Sequence, residues 1–174
     1  MRKIILIIFL NFTFIITAQE PSVNSKTIYG GIGYASFDRT ILGQSLELGY
    51  EVKLNTSFTF NGNYTYAWGE NSEDPDTYTK QNQFNALLLY SPFKNNNKLD
   101  FRLGIGGSLA YIKNQYIDIR YKKNEQVYGG FFLHSSIWYQ VSPQYKLGAK
   151  IEHQGYYDGI ETNDIISFLI GYNF

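Results

Sequence analysis

The sequence predicts an all-β protein, an eight-stranded, antiparallel, up-and-down transmembrane β-barrel. Three observations indicate this fold. Apolar and polar residues alternate with a period of two over most of the chain, as in strands whose two faces meet different surroundings. The alternating segments number eight, the smallest even number for a bacterial membrane barrel. Past residue 18 no apolar run approaches the length of a spanning helix.

The N-terminus is predicted to lie outside the barrel. A basic Arg2-Lys3 pair precedes a mostly apolar run over 4–16, which is followed by the small residue Ala18. This layout is typical of a secretory signal peptide, and the run is short for the alternative, a membrane anchor. The expected organisation is a signal peptide over 1–18, a short segment over 19–26 and a barrel over 27–174.

Five segments alternate clearly and three less so. In "SLELGYEVKL" the apolar set Leu46, Leu48 and Tyr50 faces away from the polar set Glu47 and Glu51. The other clear segments are 57–68, 99–111, 145–155 and 165–174, and the less regular ones are 28–37, 83–91 and 128–141. Each is long enough for a tilted membrane strand, which needs about 9–11 residues.

The connections between these segments differ in length. Short turns are predicted at 55–56, 92–98 and 142–144, and longer polar loops at 38–44, 69–80, 113–126 and 157–163. Short turns on one side and long loops on the other are typical of outer-membrane barrels, with the turns in the periplasm. Both termini are therefore expected in the periplasm.

A water-soluble barrel or sandwich with its apolar face inward would also alternate. Two features favour the membrane barrel. The polar face combines charged residues with glycines, which suits a narrow filled lumen. The apolar face is most aromatic near the strand ends, as in the aromatic girdles at membrane interfaces. Those aromatic residues are Tyr66, Trp68, Tyr90, Tyr139, Tyr145, Tyr172 and Phe174.

The last segment, "FLIGYNF", resembles the C-terminal strand of Gram-negative outer-membrane proteins, with Phe168, Ile170, Tyr172 and Phe174 at alternate positions. The resemblance implies recognition by the barrel-assembly machinery. From about residue 27 onward the chain resembles small OmpA/OmpX-type barrels. The strands "GGIGYASF", "LLLYSPF" and "FRLGIGGSLAY" are similar to the generic outer-membrane β-barrel domain of Bacteroidetes-like bacteria. The resemblance implies a bacterial outer-membrane location among lipid and lipopolysaccharide.

Four acidic and four basic residues are predicted to face the lumen. They are Glu47, Glu51, Asp100 and Glu152, and Lys53, Arg102, Lys146 and Lys150. Because burying unpaired ions costs several kcal/mol each, these side chains should pair across the lumen. The functional alternative is an ion path, and the narrow bore of eight strands favours a salt-bridged, closed lumen.

A candidate nucleophile occurs in "LHSSIWY", where His134 and Ser136 are two residues apart and Glu152 lies on the next strand. Serine, histidine and an acid form an activated nucleophile. The set resembles the His-x-Ser pair and glutamate of eight-stranded lipid A deacylases. In that family Asn follows the pair and the triad faces lipid, whereas here Ile137 follows and the register turns both side chains inward. We expect a hydrogen-bonded interior histidine.

Other chemistry is weakly indicated. The acidic residues Glu70, Glu73, Asp74 and Asp76 lack the spacing of a calcium loop, and no Cys/His zinc pattern occurs. No metal or cofactor is expected, and the zero formal net charge argues against a nucleic-acid partner.

The predicted function is non-enzymatic, with loops 69–80 and 113–126 meeting a surface or protein partner. A small pore or uptake channel is the first alternative, and a lipid A-modifying acyl hydrolase is the second.

Overall fold

The computed structural model describes residues 25–37, 41–71, 77–93, 98–116, 122–157 and 162–174. The predicted signal peptide over 1–18 and nearly all of the segment over 19–26 lie outside these residues. No helix in the described part of the chain is long and apolar enough to cross a membrane.

Eight strands form one closed barrel, in which every strand is antiparallel to both neighbours. The barrel closes because β8 pairs with β1, for example at Ile28 and Tyr172. The predicted fold class is confirmed. The strands are β1 Lys26–Phe37, β2 Ile41–Lys53, β3 Phe58–Glu70, β4 Tyr78–Tyr90, β5 Leu99–Tyr116, β6 Lys122–Gln140, β7 Tyr145–Tyr156 and β8 Thr162–Asn173.

The two faces of each strand lie in opposite environments, as the alternation predicts. On β8, Phe168 is 65% exposed whereas its neighbour Ser167 is 1% exposed. Large apolar side chains cover the outside of all eight strands, and polar side chains fill much of the interior. This is the reverse of a water-soluble domain, and it suits a barrel whose outer face meets lipid.

Apolar residues also enter the interior, where small residues make room for them. The Tyr29 side chain is 2% exposed and lies over Gly49, its partner on β2. A Cβ at Gly49 would overlap the Tyr29 ring. Tyr29, Trp138 and Leu169 form one interior apolar cluster, and Leu87, Leu89 and Phe132 form another.

The β5–β6 hairpin is longer than the sequence predicts. Residues 113–126 were expected to be a loop, but β5 continues to Tyr116 and β6 begins at Lys122. Lys113 and Glu125 are directly opposite, and the Lys113 Nζ lies 2.6 Å from a Glu125 carboxylate oxygen. The Tyr111 hydroxyl donates to the same carboxylate at 2.9 Å. Polar cross-strand pairs therefore extend the ladder beyond the apolar band.

The other predicted loops are also shorter than expected, because strand pairing continues into each of them. At β3, β4 and β8 the added residues are mostly polar, whereas β2 begins with Ile41 and Leu42. Strand β3 continues to Glu70 and β4 begins at Tyr78, which leaves 71–77 of the predicted loop 69–80 as the connection. The remaining connections at this end are 38–40, 117–121 and 157–161, where the sequence predicted 38–44, 113–126 and 157–163.

Candidate functional site

An ion cluster fills the lumen at the end where both termini of the barrel meet. The Glu51 carboxylate accepts hydrogen bonds from Arg102 Nη1 at 2.8 Å and from Lys146 Nζ at 2.7 Å. Arg102 Nη2 also lies 2.6 Å from Asp100 Oδ2. Because Glu51 is 3% exposed, its charge is balanced almost entirely by these two cations.

Trp138 connects this cluster to the interior. The Lys146 Nζ lies 4.1 Å from the centre of the Trp138 ring, and the Tyr29 ring meets Trp138 edge-on at 5.7 Å. A small cavity of about 130 Å³ opens beside these residues at the mouth of the barrel. A cation over an indole face is electrostatically favourable, so Trp138 stabilises the ammonium that Glu51 also binds.

Lys53 differs from the prediction that all eight charged residues lie inside the lumen. It is the last residue of β2, and its exposed side chain lines the cavity at the mouth. It forms no ion pair with any residue that the structure describes. An inward position in the alternation does not by itself bury a side chain at the end of a strand, because water reaches the mouth of the barrel.

A second ion cluster lies deeper in the lumen. The Lys150 Nζ lies 2.5 Å from Glu47 Oε2 and 2.7 Å from Glu152 Oε2. Glu152 Oε1 lies 2.9 Å from His134 Nδ1, and the Tyr29 hydroxyl donates to Glu47 at 3.0 Å. These side chains all have relative exposures below 8%, so the pairing occurs away from water.

Amide side chains fill the half of the lumen nearer the β5–β6 hairpin. Gln83 donates to Asn85 at 2.5 Å, Asn85 donates to Asn63 at 2.7 Å, and Asn163 donates to Gln81. Sequence analysis did not single out these residues, although the same alternation places them inward. Together with the two ion clusters they fill the lumen over most of its length.

The candidate nucleophile does not form a complete triad. His134 and Ser136 both point inward, at 5% and 3% exposure, and Glu152 contacts the histidine from β7. Neither Ser136 Oγ nor His134 Nε2 has a hydrogen-bond partner among the described residues. The buried Ser136 therefore lacks the contact with a base that an activated nucleophile has.

The outer face carries a further pair that sequence analysis missed. His153 Nδ1 lies 2.6 Å from Asp164 Oδ1, and both side chains are about half exposed. The alternation of "YKLGAKIEHQG" already places His153 outward with Leu147 and Ile151. The partner could not be found from the sequence, because it depends on the register between β7 and β8. No group of three or more His, Cys, Asp or Glu residues within the described ranges could hold a metal ion.

No protein-family model and no curated protein matches the chain. Solved structures do match. Neisserial surface protein A has a TM-score of 0.68 at 16% identity over 87% of this chain and 100% of its own. Ail, the attachment invasion locus protein of Yersinia pestis, has a TM-score of 0.64 at 14% identity over 88% and 100%. Ail is also solved in complex with the heparin analogue sucrose octasulfate.

The outer membrane enzyme PagL matches as well, with a TM-score of 0.55 at 10% identity over 83% of this chain and 97% of its own. The neighbours thus include a surface protein, an attachment protein and an enzyme. At these identities the likeness shows a shared fold, that of small eight-stranded outer-membrane barrels.

Proposed function

We propose that this chain is an integral outer-membrane barrel with a closed lumen, which binds a polyanionic surface through its β5–β6 hairpin. Its termini lie in the periplasm, and the barrel interior takes no part in chemistry. The observation that carries the proposal is the arrangement of the two faces. A lipid-compatible exterior surrounds an ion-paired interior, and the long hairpin carries a part-exposed polar pair, Lys113 with Glu125.

The closed lumen supports binding over transport. Two buried ion clusters and the amide cluster occupy the interior of an eight-stranded barrel, whose bore is just wide enough for side chains. An ion path would require these pairs to separate. Separating a buried pair costs several kcal/mol, because each partner then becomes an uncompensated charge in a poorly hydrated space.

The charge of the hairpin supports a polyanionic partner. Residues 113–126 contain four basic residues and two acidic ones, whereas residues 69–80 contain four acidic residues and one basic residue. Lys122 and Lys123 lie at the start of β6, and Glu125 is already paired with Lys113. Clustered cations attract sulfate or phosphate groups through long-range electrostatics. The complex of Ail with a heparin analogue is a precedent on this fold.

Titration of the purified barrel with sucrose octasulfate tests this proposal. We expect saturable binding that weakens with added salt, and a loss of about tenfold in affinity when Lys122→Gln and Lys123→Gln are combined. The matched control combines Lys53→Gln and Lys98→Gln, which remove two cations at the opposite end of the barrel. Binding that is insensitive to the hairpin variant, or abolished by the control, would contradict the proposal.

A further inference from the structure

The cavity at the mouth of the barrel is small and polar. It opens beside the first ion cluster, has a volume of about 130 Å³, and is lined by polar or charged residues except at Leu99 and Trp138. Whole organic ligands usually occupy pockets of about 300–1,000 Å³. The space here equals that of roughly four water molecules in the liquid, at about 30 Å³ each. The cavity therefore fits one small ion or one polar group of a larger molecule.

The lining of this cavity carries an excess of positive charge. Four basic and two acidic residues line it. Arg102 contacts both carboxylates and Lys146 binds Glu51, so that the two acidic residues are balanced within the ion cluster. The other two basic residues are Lys53 and Lys98, which are exposed and form no ion pair with any residue that the structure describes. Two positive charges therefore remain uncompensated at the cavity.

Lys53 and Lys98 reach the cavity from different sides of the mouth. Lys53 is the last residue of β2 and Lys98 directly precedes β5, while β3 and β4 lie between those strands in the barrel. Hydrogen bonds hold both backbones. The Lys53 N–H donates to Ser25 O at 3.1 Å, and the Lys98 carbonyl accepts from the Gln140 N–H at 2.7 Å. Two flexible side chains on fixed backbones can thus contact one anion from two directions.

The ion cluster adds hydrogen-bond donors beside the cavity. Arg102 has five N–H groups, and its contacts to Asp100 and Glu51 use three of them. The Lys146 ammonium has three, of which one donates to Glu51 while its charge faces the Trp138 ring. No other hydrogen bond from these two cations reaches a residue in the described part of the chain. Since buried donors are costly without an acceptor, an oxyanion here would satisfy them.

We propose that this cavity binds one divalent oxyanion, with inorganic phosphate or a phosphate monoester as the ligand. A phosphate monoester carries a charge of about −1.5 to −2 at pH 7, which matches the two uncompensated lysines. A carboxylate has a single charge and would balance only one of them. Lysine binds phosphate as a point charge, and hydrogen bonds between ionised groups are strong. The site goes beyond the polyanion binding proposed for the β5–β6 hairpin, and it lies at the opposite end of the barrel.

Calorimetric titration of the full barrel, refolded in an uncharged detergent, tests the class of ligand. At neutral pH we expect saturable binding of one inorganic phosphate per barrel, and at least about tenfold weaker binding of the monoanion acetate. Glycerol 3-phosphate distinguishes the two sources. If it also binds, the site takes phosphate monoesters, and if it does not, the ligand is the free ion. The absence of saturable phosphate binding, or an equal affinity for acetate, overturns the proposal.

Charge substitutions test the two lysines. Lys53→Gln combined with Lys98→Gln should lower the affinity for phosphate by about tenfold or more, because the uncompensated charges are removed. Lys53→Arg combined with Lys98→Arg keeps both charges and should stay within about threefold of the wild type. The matched control combines Lys122→Gln and Lys123→Gln at the other end of the barrel, and it should bind phosphate as the wild type does. Heat-dependent gel mobility checks that each variant is folded. Wild-type affinity in the folded Lys53→Gln, Lys98→Gln variant, or a loss in the control, overturns the proposal.

The fluorescence of Trp138 tests where the ion binds. The chain contains two tryptophans, so that Trp68→Phe leaves Trp138 as the single emitter. Because Trp138 lines the cavity, phosphate should change its emission with the affinity that calorimetry gives. With Lys53→Gln and Lys98→Gln added, the change should need about tenfold more phosphate. Calorimetric binding without a change in Trp138 emission would mean that the ion binds elsewhere, which overturns the proposal.

Discussion

The Lys150 ammonium on β7 lies 2.5 Å from the Glu47 carboxylate on β2, although β8 and β1 lie between those strands in the barrel. The contact therefore crosses the lumen. Both side chains are at most 1% exposed, so that the bond forms where water does not screen it. Lys150 also contacts Glu152 on its own strand, so that one cation holds two buried carboxylates, one of them across the lumen.

Replacement of Lys150 by Met should destabilise the barrel strongly. It leaves the Glu47 and Glu152 carboxylates buried without their cation, and removal of one partner from a buried pair costs about 3–5 kcal/mol. Urea unfolding in vesicles, followed by heat-dependent gel mobility, measures the free energy of unfolding. Lys53→Met is the control, because Lys53 is exposed at the mouth and should change stability by less than about 0.5 kcal/mol. Equal stabilities for the two variants would contradict the role of Lys150.

Alanine substitutions at two glycines on neighbouring strands should have different effects on the stability of the barrel. Gly49→Ala should cost about 1–3 kcal/mol, because its Cβ would overlap the Tyr29 ring in the interior. Gly30→Ala should be nearly neutral, because its Cβ would meet its nearest atom, a backbone oxygen, at 3.7 Å. The same unfolding measurement compares the two. A Gly49→Ala barrel as stable as the Gly30→Ala barrel would show that Tyr29 does not fill the lumen there.

Deletion of Phe174 should impair assembly of the barrel. The backbone N–H of Phe174 donates to Lys26 O at 3.0 Å, and the backbone N–H of Lys26 donates to Phe174 O at 3.3 Å. Both hydrogen bonds lie where β8 pairs with β1. The Phe174 ring packs near the rings of Tyr50 and Tyr172. The assembled fraction in outer membranes, measured by gel mobility, should fall well below that of a variant shortened within connection 71–77. Equal fractions would argue against a special role for the terminal residue.

Much of this fold could be predicted from the sequence, because membrane strands carry a direct signal. A residue such as Leu48 faces lipid and its neighbour Glu47 faces the lumen, so that alternation alone gives the face of each side chain. The strand ends were harder to predict. Beyond Ile112 the apolar alternation stops, and a polar pair, Lys113 with Glu125, continues the ladder.

The partners of the charged residues could not be predicted in the same way. The alternation predicts that Lys150 points into the lumen. The tilt and stagger of the strands decide that it forms an ion pair with Glu47 rather than with Glu51. The pair of His153 and Asp164 was missed for a related reason. Each residue falls at an outward position in the alternation, and only the register of β7 and β8 brings them together.

Spin-label accessibility along β8 tests the central claim most directly. The chain contains no cysteine, so single substitutions at 165–170 can each carry one label without a background. In vesicles, labels at Ile166, Phe168 and Ile170 should be relaxed strongly by oxygen, which concentrates in lipid, and weakly by a water-soluble nickel chelate. Labels at Ile165, Ser167 and Leu169 should be relaxed weakly by both. Strong relaxation of the outward labels by the nickel chelate, or the loss of this period of two, would contradict a lipid-embedded barrel with a closed lumen.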